Sequence, residues 1–256
     1  MRKITIAILI SCLFSLLSSC SQEKEEPIQL TISAAASMKD VLTELKELYE
    51  QNHQVELLFN FGGSGALKEQ IIQGAPVDLF ISASKDHVDE LVEKQRILAN
   101  YHSPLVANSL VLITPKIDNH IQLRLSNLQD HTIEKIAIGI PETVPAGSYA
   151  KEVLQNAKLW NLIEDKLIYT KDVSQVLTYV ETKNVDAGMV YKTDALTSKK
   201  VEVTENINPS LHSPIMYYYG VLEYTSNSKE SKSLFEFLQS PAAQQVFKKY
   251  GFNVLD

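Results

Sequence analysis

The sequence has almost no cysteine: among its 256 residues only Cys12 and Cys20 carry a thiol, and both lie within the first twenty. The rest of the chain therefore contains no disulfide, no cysteine-based metal site and no cysteine nucleophile. Positive charge is also scarce, with 24 Lys and Arg against 31 Asp and Glu and a formal net charge of −7. Because there is no block of basic residues, nucleic acid is a poor candidate for a partner.

Glycine and proline number only nine each, while 45% of the residues are hydrophobic. This composition excludes a collagen-like chain and is typical of a globular protein rather than a disordered one. The sequence shows no internal repeat and no low-complexity segment. A chain of 256 residues is long enough for one large domain or two compact ones, each with a sizeable core.

The first nineteen residues have the pattern of an export signal. Arg2 and Lys3 precede a run over 4–17 that is apolar except for Thr5, Ser11 and Ser15. A run of this length is too short to span a membrane comfortably and matches the apolar region of a signal peptide. We therefore predict a signal peptide over 1–19, with an uncleaved membrane anchor as the alternative.

The end of this segment, Leu17-Ser18-Ser19-Cys20, resembles the bacterial lipobox. The resemblance implies that the thiol of Cys20 is diacylated and that cleavage makes Cys20 the new N-terminus. Residues 20–27 are mostly polar and charged, as expected of a tether between a lipid and a folded domain. We therefore predict a protein anchored by lipid outside the cytoplasmic membrane.

From Ile28 onward, segments with the period of a strand alternate with segments with the period of a helix. Strands are predicted at 28–32, 55–61, 77–83, 110–113, 135–140, 167–170, 187–190 and 215–221. Helices are predicted at 38–49, 66–73, 88–92, 148–157, 174–182, 228–238 and 242–249. This order predicts an α/β fold with mostly parallel sheets covered by helices.

Two segments are candidate linkers, at 105–115 and within 202–213. They predict two lobes, one formed by 28–106 with 212–256 and the other by 107–211. In such a fold a ligand lies in the cleft between the lobes, at the carboxyl ends of the strands.

Four predicted helices begin directly after loops of small residues, at 33–37, 61–66, 141–149 and 171–174. Helix N-termini carry partial positive charge and free N–H groups, so several of them aimed at one cleft form an anion site. The three glycines in 61–66 allow the backbone to approach a ligand closely.

Each residue also has a simpler interpretation. Ser37 has the position of an N-cap, with Asp40 three residues later, and Ser64 alone is equally explained as a cap. Tyr191 alone is more typical of a half-buried packing residue. Ala146 and Val173 have no polar side chain, so any role of theirs in binding uses the backbone N–H.

Together, these segments resemble the molybdate-binding proteins of ABC importers, in order and over nearly the whole mature chain. The resemblance rests on AAAS at 34–37, FGGS at 61–64, GAPVDLFISA at 74–83, VPAGSYAK at 144–151, DV at 172–173, GMVY at 188–191 and FKKYGF at 247–252. It implies a two-lobed, type II periplasmic-binding-protein-like fold. The loop around Ser64 is richer in glycine than that of many relatives.

The resemblance also implies the ligand site. The molybdate oxyanion would be held by the side chains of Ser37, Ser64 and Tyr191 and by the backbone N–H groups of Ala146 and Val173. It implies binding of molybdate and also of tungstate, without a cofactor or a directly coordinated metal. The bound anion would pass to the membrane permease and ATPase of an ABC importer, from a monomer without catalytic activity.

The chemistry of these five groups agrees with the implied ligand. All five donate hydrogen bonds, and none belongs to Lys, Arg, Asp or Glu. Molybdate at neutral pH is a fully deprotonated dianion and needs donors only, whereas phosphate keeps a proton and also needs an acceptor. Sulfate is the nearest alternative ligand.

The main alternative of another class is an enzyme on the same scaffold. Porphobilinogen deaminase is a fold relative, but it needs a cofactor-bearing cysteine in its body, and none is present here. A hydrolase would need a base, and the six histidines show no metal-type spacing; they are His53, His87, His102, His120, His131 and His212. Asp78 and Asp194 are interpreted as a strand-end residue and a cap. A regulatory ligand sensor would need a DNA-binding segment, but the N-terminus has the pattern of an export signal instead.

Overall fold

The structure is a computed structural model that describes residues 26–116 and 123–255. The predicted signal peptide, Cys20 and most of the predicted tether lie outside the described residues. The described strands are β1 (Ile28–Ala35), β2 (Val55–Gly62), β3 (Leu79–Ser82), β4 (Ile97–Ala107), β5 (Leu110–Pro115), β6 (Ile136–Gly139), β7 (Leu167–Thr170), β8 (Ala187–Tyr191), β9 (Val201–Asn206), β10 (Met216–Leu222) and β11 (Asn253–Val254). The described helices are α1 (Lys39–Glu50), α2 (Ser64–Ile72), α3 (Lys85–Glu93), α4 (Pro145–Asn156), α5 (Trp160–Ile163), α6 (Val173–Glu181), α7 (Lys192–Leu196), α8 (Ser228–Leu238) and α9 (Pro241–Lys249).

The strands form two sheets. A six-stranded sheet has the order β11-β4-β10-β3-β1-β2, and a five-stranded sheet has the order β7-β6-β8-β5-β9. We call the first sheet with its helices the first lobe and the second sheet with its helices the second lobe. The α/β class and the two-lobed architecture are confirmed. The lobe boundaries at 106/107 and 211/212 stay a prediction.

Both sheets are mixed, so the expectation of mostly parallel sheets needs correction. Parallel pairing joins β1 to β2 and β3, and joins β6 to β7 and β8. The other described pairings are antiparallel, and they involve β4, β5, β9, β10 and β11. The parallel pairs come from strands joined through helices, whereas β4 and β10 re-enter the first sheet in the opposite direction.

The inner parallel strands β3 and β6 are apolar because both of their faces are covered. All four residues of β3 and all four of β6 are buried. On α1, Val41, Leu42 and Leu45 recur at helical spacing and are buried. This packing fixes the carboxyl ends of the parallel strands, from which the chain enters the helices that border the site.

The first predicted linker is largely strand in the structure, and the second is strand only over 202–206. Residues 105–115 contain the end of β4 and all of β5, with only Asn108 and Ser109 between them. Residues 202–213 begin inside β9. Strand β4 was not predicted because its centre is partly exposed and lacks strict alternation, in the sequence ILANYHSPLVA. None of the helices in 26–116 and 123–255 combines the length and the hydropathy needed to cross a membrane.

Candidate anion-binding site

One small cavity between the lobes brings together all five residues singled out from the sequence. Ser37, Ser64, Ala146, Val173 and Tyr191 line this cavity, which we call the anion cavity and which measures about 10 Å³. A volume of this order is close to that of a single water-sized group.

Helix N-termini border the anion cavity from both lobes. Ser64 is the first residue of α2, Ala146 the second of α4 and Val173 the first of α6. The first N–H groups of a helix have no acceptor within the helix, and the helix dipole adds partial positive charge there. Ala146 and Val173 are 1% and 4% exposed. Their N–H groups are therefore well placed to donate to a buried anion.

Ser37 is not the helix cap that its spacing predicted. A short 3₁₀ turn (Ala36–Met38) precedes α1, so the N-cap positions fall on Ala35 and Met38, and neither side chain makes a capping bond. The hydroxyl of Ser37 instead lies 2.7 Å from the hydroxyl of Tyr217. Its side chain therefore bonds to a residue of β10 instead of capping the helix, and it lines the anion cavity.

A short chain of hydrogen bonds orients the Ser37 hydroxyl. The amide of Asn108 donates to Tyr217 over 3.5 Å and to Thr193 over 2.9 Å. Because the Tyr217 oxygen accepts from Asn108, its own proton is free to be donated to Ser37. The Ser37 proton is then available to a ligand in the anion cavity.

Ser64 also differs from the predicted cap. Gly63 occupies the N-cap position of α2, and the hydroxyl of Ser64 accepts the backbone N–H of Ala83 over 3.2 Å. Ser64 is completely buried. Since its oxygen already accepts a hydrogen bond, its proton is left for a ligand.

Tyr191 is fully buried rather than half-buried, at 1% exposure. Its hydroxyl has no hydrogen-bond partner among the described residues. Burial raises its pKa well above 10, so the hydroxyl keeps its proton and remains a donor. An unpaired buried hydroxyl costs free energy, and a bound acceptor would remove that cost.

Two glycines beside Ser64 serve mainly the contact between the lobes. The N–H of Gly65 donates to the carbonyl of Thr143 over 2.9 Å. A methyl group on Gly63 would lie 2.8 Å from the carbonyl oxygen of Lys171, and one on Gly65 would lie 2.8 Å from the Cα of Thr143. The sequence predicted that these glycines let the backbone approach a ligand closely. The structure shows that they also let one lobe approach the other closely.

The anion cavity offers donors without charge. Its lining includes no Lys, Arg, Asp or Glu. Across 26–116 and 123–255, no group of three or more His, Cys, Asp and Glu residues could hold a metal ion. The site can therefore surround a small, fully deprotonated anion with neutral donors.

A wider cleft of about 440 Å³ also lies between the lobes, lined among others by Lys85, His87, Ser148 and Tyr149. Unlike the anion cavity, this cleft contains a cationic side chain. Its lining also includes Asp86 and Glu152, and Lys85 pairs with Asp89, so the cleft offers no net positive charge to an anion.

The sequence analysis missed the residues that support the five. Tyr217 lies in the run Tyr217-Tyr218-Tyr219, where strand alternation places the first and third side chains on one face, and both are fully buried. That pattern predicts burial but not the contact with Ser37. Neither Asn108 nor Thr143 was predicted to have a role at the site.

Comparisons with known proteins show the family to which the chain belongs. The model of a family described as bacterial extracellular solute-binding protein matches residues 30–253. The chain is 47% identical to the "Putative ABC transporter substrate-binding lipoprotein YvgL" of Bacillus subtilis, over 98% of each chain. It is 34% identical to the molybdate-binding protein ModA of Escherichia coli, over 88% of this chain and 89% of the relative.

A solved structure of a similar protein has the same fold as this chain. The "substrate binding domain of putative molybdenum ABC transporter" from Clostridium difficile superposes with a TM-score of 0.67 at 38% identity. The match covers 90% of this chain and all of that one.

Proposed function

The chain belongs to the bacterial extracellular solute-binding protein family, and we propose that it binds molybdate outside the cytoplasmic membrane for delivery to an ABC importer. The observation that carries the proposal is the buried, unpaired hydroxyl of Tyr191, which shares one cavity with four further neutral donors. Relatives named as molybdate-binding and as part of a molybdenum transporter support the ligand.

We assign the ligand contacts as follows. The hydroxyls of Ser37, Ser64 and Tyr191 donate to the oxyanion, and so do the backbone N–H groups of Ala146 and Val173. Hydrogen bonds to a charged group contribute about 1.5–3 kcal/mol each, so five of them in a buried site support tight binding without a counter-charge. The metal of the ligand is held through its oxygens, and no residue coordinates it directly.

The donor set also determines selectivity. Tungstate has the same charge and shape as molybdate and would bind similarly. Sulfate offers the same kind of acceptors on a smaller anion and remains the second candidate ligand. Phosphate at neutral pH keeps a proton, which would face a cavity lined only by donors, and we expect it to bind most weakly.

The protein acts as a binding subunit and passes its ligand to a membrane permease driven by an ATPase. The family is one of solute-binding proteins and not of enzymes. We propose that Cys20 carries the lipid anchor, as the lipobox indicates and as the lipoprotein in the name of the Bacillus subtilis relative supports. Processing and membrane attachment that persist unchanged in a Cys20→Ala variant would contradict the anchor.

Thermal unfolding in the presence of four anions tests the proposed ligand. A ligand at a thousandfold excess over its Kd stabilises the folded state by about 4 kcal/mol, which corresponds to roughly 10 °C in Tm for a chain of this size. We expect shifts of this order with molybdate and tungstate, a smaller one with sulfate and the smallest with phosphate. A larger shift with phosphate than with molybdate would contradict the proposal.

A further inference from the structure

Asp194 is a buried acid next to the anion cavity that the proposed ligand contacts do not use. It lies on α7, three residues after Tyr191, and is 7% exposed. Asp194 is the third residue of α7 and not its N-cap, which is Tyr191; its carboxyl group reaches back to the backbone N–H of Tyr191, as the third residue of a capping box does. Oxygen Oδ2 of the same carboxyl has no partner among the described residues.

Asp194 faces a second cavity that continues the first. This cavity measures about 180 Å³, lies between the lobes and shares Ala36 and Ser37 with the anion cavity. A charge on Asp194 would therefore face the cavity next to a bound anion, and the residue itself is 7% exposed. Coulomb interactions are strong in such surroundings because little water screens them.

The titratable groups around Asp194 come from several elements. They are Lys39 and Asp40 from α1, Asp172 before α6, Tyr191 from β8, Tyr217 from β10 and Tyr250 after α9. Strand β5 carries no titratable side chain, and Glu205 on β9 accepts the N–H of Leu125.

These surroundings favour the protonated carboxyl. Burial raises the pKa of Asp194 to about 8, and the negative charges of Asp40 and Asp172 act in the same direction. The hydrogen bond from the Tyr191 N–H opposes the shift but is the smaller effect. At neutral pH the group is therefore mostly uncharged and does not repel a dianion.

Resting on the proposed function, we propose that Asp194 is a positioning residue of the anion site, and that the site binds molybdate tightly only while its carboxyl is protonated. One oxygen holds the backbone of Tyr191, whose hydroxyl is a ligand donor. The other carries a proton whose loss would place a negative charge beside the bound dianion.

The sign of the expected pH dependence follows from linkage. The bound dianion makes ionisation of Asp194 harder, so the pKa of this group is higher in the complex than in the free protein. Binding then takes up a proton above pH 8, and affinity falls as pH rises, by up to tenfold per pH unit. Burial keeps the pKa of Tyr191 and Tyr217 well above 10, and molybdate is already fully deprotonated over this range.

Calorimetric titration with molybdate between about pH 6.5 and about pH 9.5 tests the inference, in buffers of different ionisation enthalpy that report proton uptake. For the unmodified protein we expect an affinity that is constant below pH 8 and about tenfold weaker at the upper end, with net proton uptake there. Asp194→Asn keeps an acceptor for Tyr191 but has no proton to lose, so its affinity should be flat. Asp194→Ala also loses the acceptor and should bind more weakly at every pH.

The matched control is Asp40→Asn, which removes an exposed acid that borders the same cavity and should keep the fall of affinity and the proton uptake, moved to lower pH because Asp40 raises the pKa of Asp194. A flat profile without proton uptake in the unmodified protein overturns the inference and leaves the proposed function intact. If the affinity of Asp194→Asn falls with pH as steeply as that of the unmodified protein, the inference is also overturned and the proposed function stays intact. If Asp194→Asn does not fold, the proton count of the unmodified protein decides alone. Absence of molybdate binding at every pH overturns the proposed function itself.

Discussion

The backbone N–H of Gly65 in the first lobe donates a hydrogen bond to the carbonyl oxygen of Thr143 in the second lobe, over 2.9 Å. Gly65 follows Ser64, and Thr143 lies three residues before Ala146. The contact therefore ties together two segments that each supply a proposed ligand donor. We therefore expect closure of the lobes and assembly of the anion site to occur together at this point.

Gly65→Ala should weaken molybdate binding by about tenfold or more while the protein still folds. The added methyl group would meet the backbone of Thr143, and overpacking of this kind costs about 1–3 kcal/mol. An open form of the protein avoids that clash, so the variant should favour it. Calorimetry gives the affinity, and small-angle scattering at the ligand concentration that just saturates the wild type should show a larger radius of gyration for the variant.

Gly62→Ala is the control in the same loop, since its methyl group would meet only the side chain of Leu67, at 3.4 Å. Equal losses of affinity in both variants would contradict the role given to the contact between Gly65 and Thr143.

Tyr217→Phe should weaken molybdate binding by about fivefold. The variant removes the hydroxyl that orients Ser37, and a neutral hydrogen bond contributes about 1 kcal/mol. The control is Tyr219→Phe, because Tyr219 is equally buried but its hydroxyl donates to the carbonyl of Phe235 instead. If both variants bind molybdate like wild type, the hydrogen-bond chain has no role in binding.

Removal of a proposed side-chain donor should have a larger effect. Ser37→Ala, Ser64→Ala and Tyr191→Phe each leave an oxygen of the anion facing an apolar surface. Each should cost about 1.5–3 kcal/mol, or about tenfold to over a hundredfold in affinity. If one of these variants binds molybdate with unchanged affinity, the substituted residue does not donate to the anion.

Two substitutions at Val173 test whether its backbone N–H, rather than its side chain, binds the anion. Val173→Ile keeps the N–H and should change affinity little. Val173→Pro removes the N–H at the first position of α6, where proline fits a helix, and the preceding Asp172 already has the extended conformation that proline requires. Calorimetry should show a loss of about tenfold or more for the proline variant. Similar affinities of the two variants would contradict donation by this N–H.

The sequence was sufficient for the fold class and for the five residues that meet in the anion cavity. Small residues where strands lead into helices have a local pattern, and helix N-termini are set by local chemistry. What the pattern could not resolve was why Ser37 and Ser64 are present. Both were equally explained as caps, and only the structure shows their hydroxyls bonded to Tyr217 and to the N–H of Ala83.

The rest depends on contacts between residues far apart in the chain. Tyr217 is 180 positions from Ser37, and nothing in the local sequence of either residue indicates the other. Strand β4 was missed because its exposed centre obscures alternation, and its antiparallel pairing makes the first sheet mixed. The raised pKa of Asp194 likewise arises from burial by both lobes, which one helix alone does not encode.

The most direct test of the central claim is the position of a heavy anion in a crystal of the complex. Tungsten scatters X-rays anomalously, so an anomalous difference map gives the position of bound tungstate without assumptions about the site. We predict one strong peak between the lobes, within hydrogen-bonding distance of the hydroxyls of Ser37, Ser64 and Tyr191 and of the N–H groups of Ala146 and Val173. A peak in the wider cleft beside Lys85 and His87, with the anion cavity empty, would contradict the account.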